Sequence, residues 1–321
     1  MRNSLLFVLT LLGASPCLGA EVYPSKPVRV IVAFAPGATI DGTGRTISQQ
    51  LSEQLGKQFV VDNRAGAGSR IGTELVARSA PDGYTLLMAE PSFVLQPSIA
   101  KSLSYDVIRD FTPITQIERK PALLAVHPAL NVTTLRDFIA LAQASPGKYN
   151  FGSGGPGSAT HLWGELFKST AKVSIVHIPF KGSSEVITSM LGGSSVQMLI
   201  TGVASLLPYV KSGQLRALAV TTDGKRAPEL PAVPSFAEAG LPGMVIFAWG
   251  GMVGPGGMPR ESVNKLHAEV VKALAVPSLR ERFIAQGSEP LASSPDEFAK
   301  FLRSEVPRWA AVIKSAGIPP E

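Results

Sequence analysis

The sequence predicts an α/β protein of two doubly wound lobes with a ligand cleft between them. Three observations point there. A Val- and Ile-rich run, Val28–Phe34, passes through Pro36-Gly37 directly into a helical repeat. Strand and helix signals then alternate from residue 28 to about residue 220. From residue 223 a Pro- and Gly-rich connection intervenes, followed by a late strand and terminal helices. Two βαβ sets in succession make two lobes, and ligands of such folds sit outside the carboxyl ends of the strands. A chain of 321 residues, 45% of them hydrophobic, has the material for the cores.

The first element is a strand because a continuous apolar β-branched run suits a strand buried on both faces. Pro36 cannot extend a ladder, and Gly37 can take backbone angles closed to other residues. Ile47, Leu51 and Leu55 then share one helix face, with Thr39 or Asp41 available as cap. The product, strand to tight loop to helix N-terminus, is either a well-capped βα turn or an anion site, since it aims free N–H groups and a positive dipole end at one point. Phe59–Val61, Thr85–Ala89, Phe111–Ile117, Leu123–Val126, Tyr149–Phe151, Ser174–Ile178, Val196–Ile200, Arg216–Val220 and Val245–Val253 read as strands. The polar, proline-containing Glu118–Pro121 is expected to split the fourth from the fifth. Helices are predicted around Ile71–Arg78, over Leu135–Ala142, behind the loop ending at His161, and over Val186–Leu191. Ser294-Pro295-Asp296-Glu297 is a helix start with a capping box. Pro36–Asp41, Glu90–Phe93, Gly152–His161 and Pro179–Ser183 are loops at strand ends with small residues and few charges.

Arg2, the apolar Leu5–Leu12 and Gly19-Ala20 have the layout of a secretory signal peptide over residues 1–20. The only cysteine, Cys17, lies within it, so the mature chain would reach an oxidising compartment without disulfides. No later apolar run approaches the ~20 residues that span a bilayer, and the expected location is the periplasm. The formal charge of +6 is scattered, which leaves no nucleic-acid footprint.

Reactive chemistry is not prominent. Gly152-x-Gly154-x-x-Gly157 matches a dinucleotide fingerprint, but Pro156 stands where the helix should pack and the next strand ends at Lys181, not at an acid for a ribose. Ser153 and Ser158 lack the nucleophile-elbow spacing, although His161 follows Ser158 by three residues. His161 and Glu165 lie one helical turn apart, yet with four histidines in the chain no second pair has ligand spacing, so neither metal nor cofactor is expected. What remains is a set of neutral donors: backbone N–H groups, Thr39, Ser92, Ser153, Ser158 and Thr160. Hydrogen bonds to a charged group are worth about 1.5–3 kcal/mol each, so a few could hold a carboxylate and still release it.

The residues now match a known pattern. Tyr23–Pro27, Phe34–Gly37 with Asp41 and Arg45, Val61–Gly68, Pro81–Leu87, Tyr105-Asp106 before Asp110–Pro113, Gly152–Gly157 before His161-Leu162, Pro179–Gly182, Leu215–Thr221 and Glu238–Gly240 follow in order along almost the whole chain. The sequence closely resembles the substrate-binding proteins of the tripartite tricarboxylate transporter type, the Bug family. The resemblance implies a two-lobed periplasmic binding protein fold (type II-like), with residues 21–118 plus 250–321 as one domain and 119–249 as the other. It implies a binding protein, not an enzyme, that closes on one small carboxylate. The residues that would shape the pocket are Pro36, Gly37, Ala38, Thr39, Asp41, Glu90, Ser92, Phe93, Ser153, Gly154, Gly157, Ser158, Thr160, His161 and Thr201. The partners would be membrane transporter subunits of that type, or a sensor kinase to which the loaded form is presented, with the binding protein itself a monomer. A secreted hydrolase using Ser153 or Ser158 with His161 is the alternative from another class. Two departures matter: Ala38 stands where a second glycine is usual, and Ile40 is bulky for its loop. Glu90 is expected to turn outward, as exposed acids do; facing the cleft, it would repel a second carboxylate and favour an amine or neutral end. The aromatic Phe93, Phe180, Phe247 and Trp249 are expected in the core or along the pocket.

Overall fold

The computed structural model describes residues 23–180, 182–193 and 195–320. The expected signal peptide with Cys17, and Lys181, lie outside them. The chain begins with β1 (Val28–Val32), in which Val28, Val30, Ile31 and Val32 are fully buried, as a strand covered on both faces requires. Then α1 (Thr39–Leu55) buries Ile47 and Leu51. The strands β2 (Phe59–Asn63) and β3 (Thr85–Ala89) flank β1, both parallel to it, with α2 (Arg70–Ala77) between them in sequence. Next come α3 (Pro91–Ile99), the long β4 (Phe111–Val126) and α4 (Leu135–Ala144), which Thr134 and Asp137 start with a reciprocal capping box.

A second α/β set follows: β5 (Asn150–Ser153), α5 (Ala159–Ala171), β6 (Val176–Pro179), α6 (Ser183–Leu191), β7 (Met198–Gly202), α7 (Val203–Lys211) and β8 (Arg216–Val220). The chain closes with β9 (Phe247–Pro255), α8 (Arg260–Ala275), α9 (Pro277–Ala285), the two-residue β10 (Glu289–Pro290) and α10 (Pro295–Ser315). Ser294 and Glu297 form the expected capping box on α10.

Strand order is β2-β1-β3-β9-β4-β7-β5-β6, with β8 and β10 also pairing with β4. The parallel sets β2-β1-β3 and β6-β5-β7 lie at opposite ends, joined through the antiparallel β9 and β4. This is a mixed α/β arrangement of two lobes. One apolar cluster lies among β1, β3, α1, α8 and their neighbours, and another among β7, α6, α7, β8 and the end of β4. A third joins the lobes, with α10 packed on α3, β4 and α5. Among the described residues no helix is long and apolar enough to cross a membrane.

Three expectations need correction. Glu118–Pro121 does not split a strand: β4 runs unbroken through it, pairing with β9 up to Pro121 and with β7 from Ala122. The polar stretch marks where the strand passes from its pairing with β9 to its pairing with β7. The segment beginning at Pro91 is a helix, capped by Glu90 and started by Pro91 at a position that needs no N–H. Pro97 inside it obscures the signal, and burial of Phe93, Val94 and Leu95 holds the helix regardless. Finally, α7 stands between Ile200 and Arg216, where the sequence reading places no element.

Candidate functional site

The loop after β1 is built by one buried carboxylate. Asp41, 3% exposed, accepts from Gly37 N–H at 2.9 Å, Arg45 Nε at 3.0 Å and Asn63 Nδ2 at 2.9 Å. Asn63 Nδ2 also donates to Phe34 O at 3.0 Å, which ties the loop to β2. The expected forward cap is therefore reversed. Ala38 is the cap residue and makes no side-chain bond, while Asp41 reaches back from the first turn to Gly37. Gly37 has φ +86°, which explains the glycine. Burial pushes the Asp41 carboxyl up, but the bonds from Arg45, Gly37 and Asn63 outweigh it and hold it below the usual range.

The glycine loop after β5 is satisfied internally. Gly154 N–H donates to Thr160 Oγ1 at 2.9 Å, Gly155 N–H to Ser153 Oγ at 3.1 Å and Gly157 N–H to His161 Nδ1 at 3.1 Å. Ser158 caps α5 by accepting from His161 N–H at 3.3 Å and donates to Gly155 O at 2.7 Å. These glycine N–H groups were expected to be free for a ligand, and they are not. The open donors lie one step later. The N–H groups of Thr39 and Ile40 at the start of α1, and of Ala159 and Thr160 at the start of α5, have no backbone partner among the described residues.

Two adjoining chambers lie between these loops, sharing Phe34, Glu90 and Ala159. The first, about 310 Å³, adds Ala67, Gly68, Arg70, Ser92, Gln96, Gly157 and Ser158, with Ile318 and Pro319 closing one side. The second, about 260 Å³, adds Ala38, Thr39, Ile40, Glu118, Lys120 and Trp249. The two loops, far apart in sequence, thus border one cleft.

Of the residues predicted for the site, Ala38, Thr39, Glu90, Ser92, Gly157 and Ser158 border the chambers. Asp41, Ser153, Gly154, Thr160 and His161 stand behind them as the internal support just described, and Pro36 and Gly37 form the turn itself. Phe93 does not reach the cleft. It is 2% exposed and packs edge-on to Phe111, because α3 turns it into the core. Thr201 is buried in β7, paired with Leu123. The outward expectation for Glu90 is also corrected. Its Oε1 accepts from Ser92 N–H at 2.8 Å as the cap of α3, which keeps the carboxylate on the cleft wall, and burial pushes its pKa up. Glu118 and Lys120 went unrecognised; a polar stretch interrupting an otherwise apolar strand was the available signal.

Behind the glycine loop His161 and His177 stack, with ring centroids 3.8 Å apart, and Phe151 stacks on His177 at 4.9 Å. Ser153 Oγ and His177 Nε2 are 2.6 Å apart. The alternative Ser153/Ser158–His161 hydrolytic pairing is not formed: Ser153 pairs with His177 and is fully buried, while Ser158 caps a helix. His161 Nε2 and Glu165 Oε1 are 3.9 Å apart, and Lys168 holds both Glu165 oxygens at 2.8 Å. Burial, then the neighbouring His161, push the His177 pKa from 6.5 down to about 4. The unfolded chain therefore binds this proton first. The stabilisation from a neutral His177 is complete above pH 6.5 and is lost as pH falls toward 4. Because the ring is only partly buried, we expect about 1–2 kcal/mol rather than the full shift. Urea unfolding at pH 7 and pH 4 of the parent and of His177→Gln checks this: the variant should lose about that much less on acidification.

The chain matches the family model described as "Tripartite tricarboxylate transporter family receptor" over residues 43–318. It is 36% identical to protein BugT of Bordetella pertussis, covering 97% of this chain and 95% of BugT. Among solved structures it is similar to R. palustris Rpa4515 with adipate, at 36% identity and TM-score 0.78, covering 93% of this chain and 100% of that one. It is also similar to periplasmic binding protein BugD, at 31% identity and TM-score 0.75, covering 93% and 100%.

Proposed function

The chain belongs to the tripartite tricarboxylate transporter receptor family, and on that premise we propose that it captures a small carboxylate in the cleft by closure of its lobes and delivers it to a membrane transporter of that type. The family is one of periplasmic solute-binding receptors, not of enzymes. The single observation that carries the reading is the meeting of two helix N-termini at one chamber. Thr39 and Ile40 of α1 and Ala159 of α5 all border it, and their N–H groups have no backbone partner among the described residues. Such ends favour an anion without committing a cation to it. Adipate bound to Rpa4515 supports the same class of guest.

In this reading the hinge lies where β4 and β9 pass between residues 21–118 plus 250–321 and residues 119–249. The exported protein begins after residue 20. Ser158→Ala removes a cap and loosens the start of α5, and Ala38→Leu adds bulk at the second chamber. Each is expected to weaken carboxylate binding about tenfold by calorimetry, while the Ser158 change costs only about 1 kcal/mol of stability. A thermal-shift screen over carboxylates identifies the guest, since a ligand at about a hundred times its Kd stabilises by about 2.7 kcal/mol. Unchanged affinity in both variants overturns the site. Uptake that survives deletion of the gene overturns delivery.

A further inference from the structure

The charges around the second chamber do not balance. Glu90, Glu118 and Lys120 border it, two carboxylates against one ammonium, while Phe34, Ile40 and Trp249 supply apolar wall. Lys120 Nζ lies 3.3 Å from Glu118 Oε1, which also accepts from Thr43 Oγ1 at 2.5 Å. Glu118 Oε2 has no partner among the described residues although the side chain is only 3% exposed. A buried carboxylate oxygen left without a donor is costly. The register of β4 on β9 shifts between Gln116 and Glu118, a bulge of the kind that re-aims a side chain beside a site. Glu90 spends one oxygen on the Ser92 N–H, and no cation among the described residues forms an ion pair with it. Burial pushes its pKa up, the effect of an enclosed carboxyl without a counter-charge.

The same chamber is bordered by Thr39 and Ile40 of α1 and Ala159 of α5, whose N–H groups have no backbone partner among the described residues. Its lining therefore combines helix N-termini with two acids. We propose that the ligand is an aminocarboxylate, with its carboxylate at the N-termini of α1 and α5 and its ammonium between Glu90 and Glu118. The proposal rests on the capture of a carboxylate in this cleft set out above and names its chemical class. An ammonium bearing N–H groups supplies both the missing charge and the missing donor for Glu118 Oε2. A dicarboxylate such as adipate would instead bring a second anion toward two acids.

The test is calorimetry at pH 7 on protein stripped of co-purified ligand by unfolding and refolding. β-Alanine, 4-aminobutyrate and 6-aminohexanoate are compared with succinate and adipate, and with butyrate and hexanoate as neutral-ended controls. The best aminocarboxylate is expected to bind about tenfold or more tighter than any dicarboxylate. Glu90→Gln should remove most of that preference and improve dicarboxylate binding, and its amide oxygen still accepts from Ser92 N–H. Glu118→Gln should weaken the aminocarboxylate alone. Melting curves confirm that both variants are folded. A dicarboxylate that binds the parent as tightly as the best aminocarboxylate, or a preference that survives both substitutions, overturns the inference and leaves carboxylate capture standing. If none of the three classes binds, carboxylate capture falls and the inference with it.

Discussion

Gly164→Ala is expected to destabilise the protein by about 1 kcal/mol net and to weaken ligand binding in the same variant. An alanine Cβ at this helical position would stand 2.1 Å from Phe151 Cε2 and 2.4 Å from Cδ2, with the ring fully buried. The ring must move, and overpacking of this kind costs about 1–3 kcal/mol, against about 1 kcal/mol gained from alanine's better helix propensity. Phe151 stacks on His177, and His177 stacks on His161. Those imidazoles hold Ser153 Oγ and the Gly157 N–H. Displacing the ring therefore shifts the glycine loop, so the loss should appear in affinity as well as in the urea midpoint. Gly42→Ala is the control. It is also helical, nothing lies within 4 Å of the added Cβ, and it should be neutral or slightly stabilising. Equal stability of the two variants would show that the wedge against Phe151 is not tight.

Asp41→Ala is expected to cost about 3 kcal/mol, from the bonds it leaves unmade at the Gly37 N–H and Asn63 Nδ2. Arg45 adds little to this figure because its side chain is 53% exposed and water can replace the carboxylate. The loop carrying Ala38 and Thr39 would lose its tie to β2, and ligand affinity should fall with stability. The pH dependence has a definite sign. The folded carboxyl is held below its unfolded range, so its stabilisation is present above the ordinary aspartate pKa and is lost as pH falls through the lower folded value. The variant should lack that acid-side loss. Urea unfolding of parent and variant from neutral to acid pH measures both effects, and parallel curves would rule out the network as their source.

Much of the fold was legible because local signals and tertiary burial agreed. The apolar run at β1, the Ile47 and Leu51 spacing of α1 and the Ser294–Glu297 box each need only a few neighbouring residues to be read. The misread elements share the opposite property. Glu118–Pro121 looked like a break because its polar side chains answer to the cleft and to Thr43, 75 residues away, rather than to neighbours in sequence. Pro91 and Pro97 argued for a loop, but burial of Phe93 to Leu95 overrode them. The glycine loop borders a chamber through Gly157 and Ser158, yet the owner of each N–H depended on where Thr160, Ser153 and His161 pointed.

The sequence by itself determined the family, the two-lobed α/β plan and the two loops that border the cleft, because each is encoded in contiguous motifs of strand, turn and helix start. Only the tertiary structure decided which groups face the chamber. The direction of Glu90, the arrival of Glu118 and Lys120 from the crossing strand, and the release of the α1 and α5 N–H groups all depend on distant segments meeting. A side chain's charge can be read from its letter. Whether that charge finds a partner depends on what the fold brings against it.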